Sequence, residues 1–310
     1  MKFCLEDAEG RPMPAAKETF HLLCSEHSPQ VERFRANVST THFPAHVHDG
    51  YVVGLVHRGV QKLVCQSETY FAQAGSITFL NPQEIHSAGA ASSDGVTYET
   101  LHIPAHMVEM VAQAQPLFRN PVLHSPVLAR QLAQAFHQLD SAGTKEQWRA
   151  KISDIVILAL QAQKQTPERS RTEYGTRIQH LLGYIEDNIT ESLSLKVLSS
   201  VVGISQQHLI RSFKCVLGVT PHDYIQLQKV ALAKRMLQDL SPSEVAALTG
   251  FADQSHFTRR LKACYGITPS LYRKQLQSRS NSSPGARAAH AVCVANSTRN
   301  RAMPPSNGRL

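Results

Sequence analysis

Two stretches decide how this chain folds: GISQQHLIRSFKCVLGVTPHDY, residues 203–224, and GFADQSHFTRRLKACYGITPSLY, residues 250–272. They are one pattern written twice. Leu209 aligns with Phe257, Phe213 with Leu261, Lys214 with Lys262, Gly218 with Gly266, Thr220-Pro221 with Thr268-Pro269 and Tyr224 with Tyr272, all at a single offset. The leading glycines, Gly203 and Gly250, lie one residue closer together, so the second copy carries an extra residue in its turn. Two copies at this period are too few for a solenoid and indicate two like modules side by side.

Each copy spells helix, glycine turn, helix. Ser194 is placed to cap LKVLSSVV, with Leu195, Leu198 and Val201 or Val202 facing inward. Gly203 follows, where the chain must turn sharply. Ser205 then caps QQHLIRSFKCVL, whose core stripe is Leu209, Phe213 and Val216 or Leu217. In the second copy Ser241 caps and Pro242 takes the first helical position, where its missing N–H costs little. Residues 244–248 form the supporting helix, Gly250 the turn, and residues 253–265 the second helix on Phe257, Leu261 and Cys264. Helix, tight turn and second helix is the helix-turn-helix arrangement. Thr220-Pro221 opens one connecting helix of about 17 residues, roughly 25 Å long, enough to hold two reading helices near one DNA turn apart, about 34 Å.

The charge agrees. Nearly the whole excess of +8 lies beyond residue 175, while the first half is close to neutral. A basic half on a neutral half points to a polyanionic partner for the C-terminal half alone. Outward positions carry the residue types that read bases: Gln bonds adenine and Arg bonds guanine in the major groove, and Lys meets phosphate.

Residues 176–275 resemble the DNA-binding domain of AraC/XylS-type transcription regulators, including GITPSLYRK at residues 266–274, close to that family's signature ending. The resemblance implies two helix-turn-helix units joined by a long helix. It implies base reading by Gln207, Ile210 and Arg211 in the first unit and by Gln254, Ser255, Thr258 and Arg259 in the second. Gln206, Lys214, Arg260 and Lys262 are placed for phosphate. Ile210 departs from the commoner polar residue, so its contact is apolar or absent. The two units carry unlike readers, so the expected DNA site is bipartite and asymmetric.

The first half reads differently. Between residues 31 and 103, short runs rich in Val, Thr, Tyr, Phe and Ile alternate with turns at Arg58-Gly59, Ala74-Gly75 and residues 81–83, the pattern of an antiparallel sandwich or small barrel. Residues 42–86 resemble the cupin-like sensor domain found at the N-terminus of many members of the same family, on His46-x-His48, Gly59, Gly75, and Pro82 with His86. Metal-binding cupins add a Glu just after the first His pair; here Tyr51 and Val52 stand there, and Glu84 lies elsewhere. His46, His48 and His86 could supply three metal ligands, but the favoured assignment is an effector pocket lined by His46, His48, Tyr51 and His86 among apolar walls, with no metal and no cofactor. His57 and His102 read as structural.

Three helical stretches follow. The last, residues 144–165, carries Trp148, Ile152, Ile155, Val156 and Leu160 near one stripe, which suits either a dimer seam or packing on the chain's own barrel.

The expected fold is therefore two-domain α+β: an antiparallel β cupin-like barrel with appended helices, then an all-α domain. The expected division is an irregular arm at 1–30, a ligand-sensing domain at 31–163 whose C-terminal helices serve dimerisation or coupling, a polar linker at 164–175, a DNA-binding domain at 176–276 and a disordered basic tail at 277–310. The six cysteines are scattered without a CxxC pair, which fits free thiols in a reducing cytoplasm and suggests neither a zinc ribbon nor a disulfide framework. No apolar run is long enough to span a membrane. The expected function is a ligand-responsive, sequence-specific transcription activator, not an enzyme. Its expected partners are double-stranded DNA, a small effector, RNA polymerase and a second copy of the chain. The runner-up is a metal-dependent cupin enzyme fused to a DNA-binding domain.

Overall fold

A computed structural model of the chain describes residues 18–24, 27–28, 30–65, 67–164 and 176–280. Most of the expected arm, the linker from 165 and the tail beyond 280 lie outside the described residues. Residues 19–24 do not belong to an irregular arm: they form β1 (Thr19–Cys24), paired antiparallel along its whole length with β2 (Glu32–Val38). The sequence TFHLLC is β-prone but was obscured by the polar residues on either side of it.

The barrel is organised by β4 (Tyr51–Cys65), a 15-residue strand that belongs to two sheets. Its first part pairs with β8 (Val96–Ile103) and β6 (Ser76–Leu80). Its last part pairs with β5 (Glu68–Gln73) and β7 (His86–Ala90). The changeover falls at a register shift next to Gly59, whose φ is +75°. A Cβ there would sit 2.0 Å from the Gly95 carbonyl oxygen, so only glycine allows this corner. The remaining strands are β3 (His42–His46), which pairs with β7, and β9 (Val122–His124), which pairs with β6.

Strand alternation gives the first sheet two buried faces. Tyr51, Val53, Leu55, Ile77, Phe79, Leu101 and Ile103 pack outward against α1 (Ala105–Ala112), α2 (Pro126–Asp140) and α3 (Lys145–Lys164). The alternate residues Val52, Thr78, Leu80, Tyr98, Thr100 and His102 point into the barrel. This is why YVVGLV reads as a continuous apolar run rather than an alternating one. The α3 stripe closes the same core: Trp148, Ile152, Ile155 and Val156 are all at most 2% exposed. That stripe is buried within the chain, where α1 and α2 pack on α3, and so is not free to form a dimer seam.

A charged seam crosses the helix-facing side. Glu99 on β8 is bonded by Arg33 and Arg35 of β2 and by His57 of β4, and Arg33 continues to Asp140 at the end of α2 at 2.6 Å. Burial raises the Glu99 pKa, but the bonds from His57 and Arg33 and the arginine charges outweigh it and hold the pKa at about 2.

The second half follows the expected grammar closely. It comprises α4 (Thr176–Asp187), α5 (Leu195–Val202), α6 (Gln206–Leu217), α7 (Pro221–Met236), α8 (Pro242–Leu248), α9 (Gln254–Tyr265) and α10 (Pro269–Ser280). Ser194, Ser205, Thr220, Ser241 and Asp253 each cap a helix with a side-chain oxygen, and Ser241 with Glu244 completes a capping box. Gly203, Gly218, Gly250 and Gly266 all have positive φ. The connecting helix α7 has 16 residues, about 24 Å. It serves two cores from opposite sides: Tyr224, Ile225 and Ala231 join the first unit, and Val230, Ala233 and Leu237 the second. The final helix α10 runs through Ser280, past the expected domain end at 276.

Two outcomes follow from this packing. Ile155→Ala should cost about 3 kcal/mol, with a urea midpoint independent of protein concentration; a dimer seam would instead give a concentration-dependent midpoint. Glu99→Gln should cost about 3 kcal/mol at neutral pH, because Arg33 stays buried without its main partner. The depressed Glu99 pKa means that this stabilisation is complete above the ordinary glutamate value of 4.5 and is lost as pH falls through about 2. Acid titration of the wild type should show that loss, and the Gln variant should lack it.

Candidate functional site

The barrel interior narrows to a cavity of about 70 Å³ lined by His46, His48, His86 and His102 with Phe34, Phe43, Gln61 and Tyr98 among others. His46 ends β3, His48 follows it, His86 opens β7 opposite His46, and His102 comes from β8. The rings are close: centroids are 4.2 Å apart for His46 and His86, 4.9 Å for His46 and His48, 5.0 Å for His48 and His86, and 4.3 Å for His48 and His102. One ring nitrogen from each of His46, His48 and His86 lies within 4.8 Å of the others.

Two of these rings are held in a known tautomer. His46 Nδ1 lies 2.8 Å from the Pro44 carbonyl oxygen and His86 Nδ1 lies 3.0 Å from that of Glu84. A carbonyl only accepts, so each Nδ1 carries the proton and each Nε2 keeps its lone pair. Burial lowers all four pKa values: His86 to about 3, His102 to about 4, and His46 and His48 well below the usual histidine range, where their neighbours' charges add to the effect. The group is four neutral imidazoles. Glu84 does not join them, because its carboxylate accepts from the backbone and side chain of Asn81 in the adjoining turn.

Tyr51 is not in this pocket. Its position on β4 puts it on the helix-facing side, where its hydroxyl donates to Pro116 at 2.8 Å and its ring packs on Phe118. His102, read as structural, is in the pocket, and alternation from Tyr98 through Thr100 to His102 was the available signal. His57 does lie outside it, on the Glu99 seam.

The cover of the cavity comes from the other half of the chain. Cys264 and Tyr265, in the last turn of α9, line it. The Tyr265 ring stands 5.5 Å from His46 and 5.7 Å from His48, and its hydroxyl donates to the Val47 carbonyl at 2.7 Å. The Val47 side chain, fully buried, joins the core formed by α4 to α7. Around this plug Lys234 bonds Glu32 at 2.6 Å and lies over the rings of Tyr265 and Tyr272, Tyr272 bonds the other Glu32 oxygen at 2.6 Å, and Arg235 bonds Asp49. Burial raises the Glu32 pKa, yet the Lys234 charge prevails and the net shift is downward. A cleft of about 350 Å³ between the halves shares His48, His102 and Tyr265 with the cavity.

The opposite side of α6 and α9 carries the predicted DNA-facing residues. Gln206, Gln207, Arg211, Lys214, Gln254, Ser255, Arg259, Arg260 and Lys262 are exposed, and Ile210 and Thr258 are half-buried. Gln206 and Gln254 open their helices at equivalent positions.

Residues 28–160 match the AraC-like ligand binding domain and residues 198–275 a helix-turn-helix domain. The chain is 28% identical over 234 residues to the HTH-type transcriptional regulator YbfI of Bacillus subtilis, covering 73% of this chain and 85% of that one. It is 24% identical to the HTH-type transcriptional activator RhaS of Escherichia fergusonii, over 75% of this chain and 88% of that one. The structure of unsaturated fatty acid bound ToxT from Vibrio cholerae superimposes with a TM-score of 0.53 at 16% identity, covering 80% of this chain and 95% of that one. Among the described residues, no helix is long and apolar enough to cross a membrane. The two matched domains and the capped tandem units they contain place this chain in the AraC family of ligand-responsive transcription regulators.

Proposed function

We propose that this protein is an activator that reads an asymmetric bipartite operator through α6 and α9 in successive major grooves, and that a small effector in the barrel sets its DNA-binding competence. The observation that carries this reading is the double use of α9. Its first turns present Gln254, Ser255 and Arg259 to solvent, and its last turn closes the histidine-lined cavity with Cys264 and Tyr265. Anything that binds in the cavity must work against or with that turn, so effector and operator are energetically linked through one rigid element.

In this reading Gln207, Ile210 and Arg211, and Gln254, Ser255, Thr258 and Arg259, meet base edges. Gln206, Lys214, Arg260 and Lys262 meet phosphate. The effector contacts are His46, His48, His86 and His102. RNA polymerase is the partner that an activator requires, and a homodimer would place two such readers on one operator. Work on chromosomal DNA places the protein in the cytoplasm, and the reading assigns it no catalytic step.

Operator affinity of point variants tests the assignment. Arg211→Ala and Arg259→Ala should each cost about 1–3 kcal/mol on the cognate site while leaving random DNA nearly unchanged. Lys214→Ala should weaken both alike and lower the salt slope by about 1. Equal losses on cognate and random DNA for the arginine variants would exclude base reading.

A further inference from the structure

The barrel lends two residues to a core that is not its own. His86 lines the barrel cavity, while its neighbour Ile85, 6% exposed, packs on the other side among the helices. His46 and His48 also line the cavity, and Val47 between them packs outward in the same way. Among the described residues, neither Ile85 nor Val47 joins the apolar clusters of the barrel. Both belong to the core of the first reading unit, with Leu209, Phe213 and Leu217 of α6 and Tyr224 of α7. The second unit is built otherwise. The buried members of its core all lie between Val230 and Leu276, and the barrel half adds only Leu22 at its margin.

The turn that carries Ile85 is built to hold its place. Asn81 donates to the Glu84 carboxylate from its backbone at 2.9 Å and its side chain at 2.8 Å, and exchanges two further bonds with the Phe118 backbone. Gln83 sits at a φ of +59°. That left-handed conformation is costly for a residue with a side chain and persists only where its surroundings enforce it. The Gln83 side chain donates to Asp49 at 2.9 Å and accepts from Gln228 of α7 at 3.1 Å. One braced turn thus meets both the connecting helix and the core on which α6 packs.

We propose that Ile85 and Val47 are positioning residues for DNA reading by α6: the barrel holds the first reading helix in place through the core the two share, while the second unit stands on a core of its own. The proposal rests on the reading of α6 and α9 as the two DNA readers. Shortening either side chain leaves space in the core on which α6 packs, and the surrounding helices relax into it only in part. Gln207, Ile210 and Arg211 are then correctly aimed in a fraction of the molecules, and affinity for bases read by α6 falls by that fraction. Val47→Ala keeps the backbone carbonyl that accepts from Tyr265, so the seat of α9 is retained. The effect on the operator is therefore one-sided.

The test uses the full-length protein and an operator selected from random DNA, with each half-element scrambled in turn and affinities measured at one salt concentration. The half whose scrambling matters less to Arg211→Ala is the one read by α6. For Ile85→Ala and Val47→Ala, scrambling that half should cost about tenfold less affinity than it costs the wild type, while scrambling the α9 half should cost as much as before. Ile85→Val should show the same one-sided change at about threefold. Ile155→Ala, a core substitution under α3, should leave both costs unchanged, since general destabilisation lowers the active fraction on every operator alike. Circular dichroism identifies a variant that fails to fold, and the mild Ile85→Val substitution then decides. Scrambling costs that stay at wild-type values in the folded variants, or that shrink equally for both halves, would overturn the proposal and leave the regulator reading intact. Absence of any specific site for the wild type would remove that reading and the proposal with it.

Discussion

The arrangement of the molecule depends on one hydrogen bond and the surface around it: the Tyr265 hydroxyl donating to the Val47 carbonyl across the two halves. A buried phenol without a partner would be costly, as would an unpaired carbonyl at the end of β3. Each satisfies the other. Burial pushes the Tyr265 pKa well above its ordinary value, so the phenol remains a donor. The same contact closes the barrel mouth on the side where Cys264 and Tyr265 line the cavity. Lys234 and Glu32 sit beside it, and Tyr272 donates to the other Glu32 oxygen, so both carboxylate oxygens of the buried pair are bonded. A closed barrel and a docked DNA-binding half are therefore one structural state.

The sequence was most legible where structure is set locally. Ser194, Ser205, Ser241 and the glycine turns could be assigned because a cap and a positive φ are decided within four or five residues. The His46, His48 and His86 cluster was also within reach, since adjacent strand ends bring it together. Tyr51 was misplaced for a simple reason: an apolar run on a strand buried on both sides shows no alternation, so inward and outward positions cannot be told apart from the run itself. His102 was missed for the complementary reason, because its inward side is fixed only by register against β4.

Least legible were the contacts between the halves. Tyr265 lies in a helix whose other residues read as DNA chemistry or as the core of its own unit, and nothing near it in sequence indicates a barrel. Glu32 and Lys234 are about 200 residues apart. The α3 stripe shows the same limit: periodicity identifies a buried face and says nothing of what buries it. Trp148 and Ile155 turn out to be buried in the chain's own core, where α1 and α2 pack on α3.

The helix α7 has a bearing on how such a regulator can change its target. Because it anchors one core on one side and the other core on the opposite side, neither reading unit can pivot alone. Inserting a single residue would advance the second unit by 1.5 Å and swing it by about 100°, turning its reading edge out of the groove. For the proposed bipartite operator, the spacing between the two half-elements is thus quantised by whole helical turns. Under the proposed reading, new operators are reached by exchanging exposed side chains such as Gln207 or Ser255 within a fixed frame, while the frame itself resists gradual drift.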